Sequence, residues 1–285
     1  MSTFEKRAQL GAAQLDELAG LQPVRPLERT EPAPPLAPAE ARAFTNRYEI
    51  KYLLGARQLE EAQAALRDCL QLDPKGTEDG GYYVHSIYFD SPNMRFLREK
   101  VEGNLTRVKP RIRTYRTSLD GPPSATFLEL KGRYNRIVQK RRCPIDRSLA
   151  KLLLTETPVH PNGWSAKHTV LGEFQYMSHR FNLVPTVSVL YHRTAFFGAY
   201  WPNLRVTFDR LVLCSPATSL EVPSQDFLQA IPCSQTVMEL KYNDKLPLAM
   251  LNRINGLGLR QRTFSKYAVS VERCFRGLNG SQSLH

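Results

Sequence analysis

The sequence contains few cysteines, and none of them form a recognisable pattern. There are five cysteines in 285 residues, widely scattered and without CxxC spacing, which predicts neither a zinc knuckle nor a disulfide framework. No run of about 18–20 apolar residues appears, so no spanning helix is predicted. The first twenty residues lack the apolar run of a signal peptide. We therefore expect a cytoplasmic protein.

Acidic residues are scarce relative to basic ones. The chain has 39 Lys and Arg residues against 27 Asp and Glu residues, a formal net charge of +12. Such an excess favours an anionic partner. Nucleic acid, an anionic membrane surface and a phosphate-rich small molecule are the three classes to consider.

The composition divides the chain into three parts. Residues 4–20 have the apolar spacing of a helix, and a proline-rich stretch that cannot build a core follows them. We predict an N-terminal helix and flexible linker over 1–43, one folded domain over 44–275 and a disordered tail over 276–285. The length of the middle part is ample for a hydrophobic core.

The middle part reads as many short alternating strands with a few helices between them. Strands are predicted at 46–54, 84–91, 107–116, 126–133, 136–144, 185–197, 204–213, 236–244 and 265–272. Helices are predicted at 57–72, 147–154, 167–182 and 246–255. Because strands and helices do not alternate regularly, the fold class is α+β on a mainly antiparallel sheet.

Cations concentrate on one face of several predicted strands. In RVKPRIRTYR (107–116), Lys109, Arg111 and Arg113 share one face and apolar residues share the other. Similar separation recurs in 47–52, 126–131, 204–209 and 236–242. A sheet with one solvent-exposed polar face would explain such a pattern. Alternating strands also close into barrels, whose outer apolar wall the helices would then cover. We favour an antiparallel barrel with helices packed outside, because Arg-rich strands suit a tunnel that holds a polyanion.

Eight ordered motifs resemble those of the VTC domain, the polyphosphate polymerase branch of the triphosphate tunnel metalloenzymes. They are RYEIKY, SIYFDS, KPRIRTYR, FLELKGR, YHRTAFF, LRVTFDR, MELKYND and FSKYAVSVER. The resemblance covers about residues 44–275 and is similar to the bacterial single-domain form. It implies an antiparallel tunnel that binds a nucleoside triphosphate and polyphosphate, together with a divalent metal held by a glutamate.

The resemblance also implies roles for individual residues. The phosphate-binding basic residues of the family fall on Lys51, Arg111, Arg113, Lys131, Arg193, Arg205 and Lys266. Tyr191 and Ser265 match positions that contact phosphate, and Glu239 matches the metal ligand, with Glu129 and Glu49 as further candidates. In a strand, Ser265 and Lys266 point to opposite faces, so both reach a tunnel only if a loop or bulge begins there.

Further substrate-binding residues follow from which face of a strand they occupy. They are Lys109, Lys140, Arg142 and Lys241. Hydrolases and cyclases of the superfamily typically open with Glu-x-Glu-x-Lys, whereas here the slot reads Arg47-x-Glu49-x-Lys51. An extra cation in place of an acid suits the holding of a long anionic chain, so Arg47 joins the predicted substrate contacts.

We predict that the protein transfers the γ-phosphate of ATP to a growing inorganic polyphosphate chain, with Mn²⁺ or Mg²⁺ as cofactor. One alternative is a metal-dependent tripolyphosphatase or nucleoside triphosphatase, in which Glu49 or Glu129 orients water. Another is a non-catalytic polyphosphate-binding module. Nucleic acid is not an expected partner, because the aromatic residues fall mostly on apolar faces. A membrane protein could recruit the domain, and the sequence does not predict the oligomeric state.

Overall fold

The computed structural model describes residues 47–74, 81–135, 137–155, 169–217, 219–222 and 227–275. The predicted N-terminal helix and linker and the predicted tail lie outside these ranges. The ten strands of the described part are β1 Arg47–Leu54, β2 Leu70–Leu72, β3 Gly81–Asp90, β4 Thr106–Arg116, β5 Ala125–Tyr134, β6 Ile137–Pro144, β7 Val184–Gly198, β8 Arg205–Pro216, β9 Leu228–Gln229 and β10 Thr236–Asn243.

All the strands join one antiparallel sheet. Its main order is β1-β10-β8-β7-β3-β4-β5-β6, with β2 added to β7 and β9 added to β8. The sheet curls until its edge strands β1 and β6 approach each other, although no hydrogen-bonded ladder joins them within the described residues. An ion pair from Glu49 on β1 to Lys131 on β5 spans this seam. The predicted α+β fold with an antiparallel sheet is confirmed.

Six α-helices lie in the described part of the chain. They are α1 Ala56–Leu66, α2 Arg95–Val101, α3 Arg147–Thr155, α4 Thr169–Phe181, α5 Leu248–Gly256 and α6 Lys266–Phe275. Four of them correspond to predicted helices, whereas α2 lies where no helix was predicted. No described helix has both the length and the apolar character needed to cross a membrane.

The predicted strand at 265–272 is wrong, because the segment forms helix α6. Tyr267, Val269 and Val271 alternate as in a strand, yet Tyr267 and Val271 also lie four residues apart, as on one face of a helix. The Ser265 hydroxyl accepts a hydrogen bond of 3.3 Å from the Ala268 amide, which caps the helix N-terminus. The helix start brings both Ser265 and Lys266 to the inner face of the sheet.

Two hydrophobic cores cover the outer face of the sheet. In one, Phe89, Leu128 and their neighbours pack against α3 and α4, with Phe89 and Phe174 in edge-to-face contact at 5.0 Å between ring centroids. In the other, β1, β8 and β10 pack against α1 and α5. These helices lie outside the sheet, as predicted.

Helix α6 departs from the predicted arrangement by packing on the inner face. Its residues Tyr267 and Val271 join a core with Val84, Val189 and Val237 from the concave side of the sheet. The Tyr267 hydroxyl donates a hydrogen bond to the buried Asp90 carboxylate. The inner face is thus apolar where α6 covers it and charged along the remaining cavity.

Replacement of Phe174 by Ala should remove the centre of the first outer core. Phe174 is fully buried on α4, whereas Tyr176 on the same helix is 66% exposed. We expect Phe174→Ala to lower the free energy of unfolding by about 3–5 kcal/mol and Tyr176→Ala to change it by less than about 0.5 kcal/mol. Equilibrium urea denaturation measures both, and equal losses in the two variants would contradict this packing.

Candidate active site

A cavity of about 800 Å³ occupies the inner face of the curled sheet. Three acidic side chains line it, namely Glu49, Asp73 and Glu239. Fourteen basic side chains line it, namely Lys51, Lys100, Arg107, Lys109, Arg111, Arg113, Lys131, Arg133, Lys140, Arg142, Arg193, Arg205, Lys241 and Lys266. The lining is therefore strongly cationic.

The cavity follows the strands from one end of the sheet to the other. On β4 its lining runs from Arg107 to Tyr115, with every second residue facing inward. Eight steps of a strand span about 26 Å. The arginines are enclosed: Arg111, Arg113 and Arg193 are only 6–7% exposed. Burial of this degree excludes a sheet with a wet polar face and agrees with a tunnel.

Two fully buried carboxylates hold the central arginines from beneath. Nε and Nη2 of Arg111 donate to Glu129 Oε2 at 2.9 and 2.6 Å, and Nε and Nη2 of Arg193 donate to Asp209 at 2.6 and 2.8 Å. Arg113 Nε donates to the Ser86 hydroxyl at 3.0 Å. Burial opposes ionisation of both acids, but the arginines outweigh it and keep the pKa of Glu129 and Asp209 below its ordinary value.

Glu239 lies among four cations on the wall opposite β4. Its carboxylate is 2.9 Å from Lys241 Nζ, 3.3 Å from Lys266 Nζ, 3.5 Å from Lys51 Nζ and 3.7 Å from Arg193 Nη2. Burial opposes ionisation, but these cations hold the pKa of Glu239 well below its usual range. Each of these four bases also pairs with Glu49 or Asp209, so three acids stand against four bases in this group.

Lys109 lines the cavity without an acidic ion-pair partner among the described residues. Its Nζ donates to the Ser265 hydroxyl at 2.8 Å, beside the start of α6. Burial and the neighbouring cations Lys51 and Lys131 hold the pKa of Lys109 well below its usual range. Such a group gains stability when a phosphate approaches, since the phosphate restores a counter-charge.

Lys140 and Arg142 extend the lining along β6. Lys140 Nζ is 3.9 Å from Glu129 Oε1, and partial burial together with Arg142 and Arg113 lowers the pKa of Lys140 to about 7. The Arg142 guanidinium lies over the Phe127 ring, 4.4 Å from its centroid. Lys241 bridges two acids, yet burial lowers its pKa to about 8.

The structure brings nearly all the predicted site residues to this one cavity. Those that line it are Lys51, Arg111, Arg113, Lys131, Arg193, Arg205, Lys266, Tyr191, Ser265, Lys109, Lys140, Arg142, Lys241, Glu239 and Glu49. Glu129 does not line the cavity but lies beneath Arg111, with Oε1 lacking a hydrogen-bond partner in the described part. The side chain of Arg47 lies outside the described part.

Sequence reasoning missed several residues of the site. Strand alternation from Lys109 and Lys131 would have added Arg107 and Arg133, which line the cavity. The same alternation from Arg205 reaches Asp209. Asp73 lies in a loop and pairs with Arg205 at 2.7 Å, and Lys100 lies on the unpredicted helix α2. The sequence carries no local signal for either of these last two.

The acidic residues suit a divalent cation only when phosphate supplies further ligands. Within the described ranges, no cluster of three or more His, Cys, Asp or Glu side chains is placed to share a metal ion. Glu49 and Glu239 lie on the paired strands β1 and β10, and Lys51 contacts both. Mg²⁺ commonly binds through one or two carboxylates plus substrate phosphates. Glu239, with Glu49 nearby, fits that mode and not an all-protein cage.

The sequence matches the family model of the VTC domain over residues 46–275. The chain belongs to the VTC domain family. The resemblance seen in the sequence motifs is thereby confirmed. No curated protein matches this VTC domain chain.

Solved structures resembling this VTC domain include three putative adenylate cyclases. One from Bacillus halodurans is 12% identical, with 77% of this chain and 95% of that chain covered and a TM-score of 0.46. One from Hippeastrum, described as having a dominant triphosphatase activity, is 13% identical, with 78% and 93% covered and a TM-score of 0.43. One from Vibrio parahaemolyticus is 9% identical, with 79% and 97% covered and a TM-score of 0.41.

The lowered pKa of Lys140 predicts a pH-dependent affinity for tripolyphosphate. A bound polyanion favours the ammonium form of Lys140. In the unbound protein, Lys140 loses this form as the pH rises through about 7. Binding should therefore weaken with rising pH, by at most about tenfold per pH unit for one linked proton. In Lys140→Arg the side chain stays charged, so its affinity for tripolyphosphate should fall less over the same pH range. Calorimetry at pH 6.5, 7.5 and 8.5 compares the two proteins, and parallel profiles would contradict the prediction.

Proposed function

We propose that this VTC domain is a polyphosphate polymerase that transfers the γ-phosphate of ATP to the end of a polyphosphate chain. The observation that carries the proposal is the charge of the cavity, which fourteen basic side chains and three acidic ones line. A polyanion is the class of molecule that neutralises such a lining. Even when Glu129 and Asp209 are counted with the lining acids, a single triphosphate with a charge of about −4 leaves part of this positive charge unbalanced, and a longer chain would balance it.

The central arginines form the grip on the nucleotide phosphates. Arg111, Arg113 and Arg193 lie in the middle of the cavity. Hydrogen bonds to Glu129, Ser86 and Asp209, respectively, fix the orientation of these guanidinium groups. Guanidinium groups bind phosphate oxygens through two parallel hydrogen bonds. Because these groups are already oriented, little reorganisation is needed when charge develops on the γ-phosphate.

The lysines supply point charges around the grip. Lys51 and Lys266 contact Glu239 and lie within the same cavity as the three arginines. A divalent cation, Mn²⁺ or Mg²⁺, would be held by Glu239, with Glu49 nearby, and when bound it neutralises charge on phosphate oxygens. Lys241, the closest cation to Glu239, would then be free to turn toward phosphate.

The transfer itself needs little covalent help from the protein. A terminal oxygen of the polyphosphate chain forms a bond to the γ-phosphorus while the bond from that phosphorus to the β–γ bridging oxygen breaks, and ADP leaves with the electron pair. The attacking oxygen is already ionised near neutral pH, so no general base is required. Arg111, Arg113, Arg193 and Lys266 neutralise the oxygens of the transferred group.

One observation favours a second candidate function, hydrolysis of the triphosphate. Oε1 of the buried Glu129 has no hydrogen-bond partner within the described part of the chain, and a water that enters beside Lys140, whose Nζ is 3.9 Å away, would donate a hydrogen bond to it. Glu49 is less suited to that role, because it already accepts hydrogen bonds from Lys131 at 2.9 and 3.0 Å. The polymerase remains our proposal, because hydrolysis gives no use for the cations beyond the triphosphate grip.

Purified protein with ATP and Mn²⁺ should make acid-labile polymer, and it should do so faster when short polyphosphate is added as primer. Polymerase and hydrolase both release ADP, so polymer must be measured directly, by gel electrophoresis of the ³²P-labelled product. Stoichiometric free phosphate without polymer, across several metals and with primer present, would favour the hydrolase. Binding without turnover would favour a non-catalytic module.

A cation that lies away from the three central arginines tests whether the polyphosphate chain extends along the cavity. Arg133→Ala should raise the primer concentration needed for half-maximal stimulation by about two- to fivefold, because an exposed ion pair contributes roughly 0.2–1 kcal/mol. Arg57→Ala is the matched control, since Arg57 lies on α1 and pairs with Glu61 outside the cavity. Equal primer curves for all three proteins would contradict a chain contact at Arg133.

Glu239→Gln keeps the size of the side chain and removes its charge. With Mn²⁺, we expect turnover to fall by about 100-fold or more. Without divalent metal, tripolyphosphate should bind at least as tightly as in the original protein, because four cations lose a competing carboxylate. Calorimetry in chelator measures this binding, and Glu61→Gln serves as the control. Unchanged turnover would show that the metal is held elsewhere.

A further inference from the structure

The two ends of the cavity differ in chemistry. At one end, here called the aromatic mouth, the lining contains Tyr82, Tyr115 and Phe127. At the other end, here called the basic mouth, it contains three cations, Lys100, Arg107 and Arg133. A uniform phosphate tunnel has no need for such a difference.

The aromatic residues stand where strand alternation otherwise places charge. Arg111 and Arg113 precede Tyr115 on the inner face of β4, and Phe127 precedes Glu129 and Lys131 on the inner face of β5. Tyr115 and Phe127 are only partly buried. They therefore present π surface to a cavity that is otherwise cationic.

The rings form one connected cluster. Phe127 and Tyr115 are in edge-to-face contact, with ring centroids 6.1 Å apart, and Tyr115 lies 5.9 Å from Tyr82. The Arg142 guanidinium adds a second planar group over Phe127. Stacked aromatic and guanidinium planes are the surfaces on which nucleobases stack without regard to sequence.

We propose that the aromatic mouth binds the nucleobase of the nucleoside triphosphate, stacked on the planes of Phe127 and the Arg142 guanidinium, with Tyr115 in edge contact. This assignment rests on the proposed function, which makes a nucleoside triphosphate the phosphate donor. It moves Arg142 from the polyphosphate contacts predicted from the sequence to the nucleoside end of the site.

The spacing along the strands agrees with the size of a nucleotide. Phe127 pairs directly with Arg113 across β4 and β5, and Tyr115 lies two residues, about 7 Å, beyond Arg113. Arg205 donates to the Tyr82 hydroxyl at 3.2 Å. Phosphates bound by Arg113 and Arg205 therefore place the base of the same nucleotide at the aromatic mouth.

The assignment also gives the tunnel a direction. An uncharged base placed among Lys100, Arg107 and Arg133 would leave those cations without a counter-charge. A polyphosphate chain neutralises them. The nucleoside therefore occupies the aromatic mouth, ADP leaves there, and the chain extends through the basic mouth.

Affinity for ATP, compared with affinity for tripolyphosphate, tests the assignment. Stacking on an aromatic residue contributes roughly 1–3 kcal/mol per base, so Phe127→Leu should raise the Kd for ATP about 5- to 150-fold. It should change the Kd for tripolyphosphate by less than about twofold. Tyr176→Leu, an exposed aromatic residue on α4, is the matched control and should change neither value. Calorimetry provides all the values.

Two outcomes would overturn the assignment. Equal weakening of both molecules would show that Phe127 only supports the packing of the mouth, and no weakening of either would place the base elsewhere. A comparison that needs no variant avoids the risk of misfolding. The unmodified protein should bind ATP about 5- to 150-fold more tightly than base-free ribose 5-triphosphate, and equal affinity would refute the base site. If the unmodified protein still makes polymer from ATP in that case, only the base site fails and the proposed function stands.

Discussion

Repulsion among like charges on a buried surface is the constraint on which the rest of this structure depends. Fourteen basic side chains line one cavity, and in a medium of lower dielectric than water the repulsion among their charges is strong. Asp209, Glu129 and Glu239 offset part of it, and each holds more than one cation. These acids fix the geometry of the arginines without neutralising the cavity. The remaining charge is what a phosphate chain would balance.

The fold forms this cavity because the sheet turns its apolar face outward, toward the helices, and its polar face inward. Apolar residues on the outer face pack against helices on both halves of the curled sheet, so the polar residues of the same strands are left to face one another. Helix α6 then fills part of the inner face with Tyr267 and Val271. At the first residue of α6, Lys266 Nζ donates hydrogen bonds to the Asp209 and Glu239 carboxylates. A single helix thus closes the apolar part of the interior and completes the charged part.

The sequence predicts which residues share a face far better than which residues touch. Period-two alternation placed Lys109, Arg111 and Arg113 together, because a strand turns every second side chain to the same side. The same alternation failed at 265–272, where apolar spacing fits a helix equally well. Pairs such as Asp73 with Arg205 join residues 132 positions apart, and the seam contact of Glu49 with Lys131 depends on how far the sheet curls. Neither the long-range pairing nor the degree of curl is encoded in a local sequence pattern. The stacking of Arg142 on Phe127 is likewise set by rotamers, which alternation does not determine.

The claim that the cavity holds a phosphate chain is tested most directly by a crystal structure with tripolyphosphate and Mn²⁺. Phosphate density should lie between Arg111, Arg113 and Arg193, with Mn²⁺ against Glu239 and further phosphate toward Lys109. The bonds of Arg111 to Glu129 and of Arg193 to Asp209 should persist, because those acids lie behind the grip. Phosphate density confined to the outer surface, with Glu239 still paired to Lys241 and Lys266, would contradict the account.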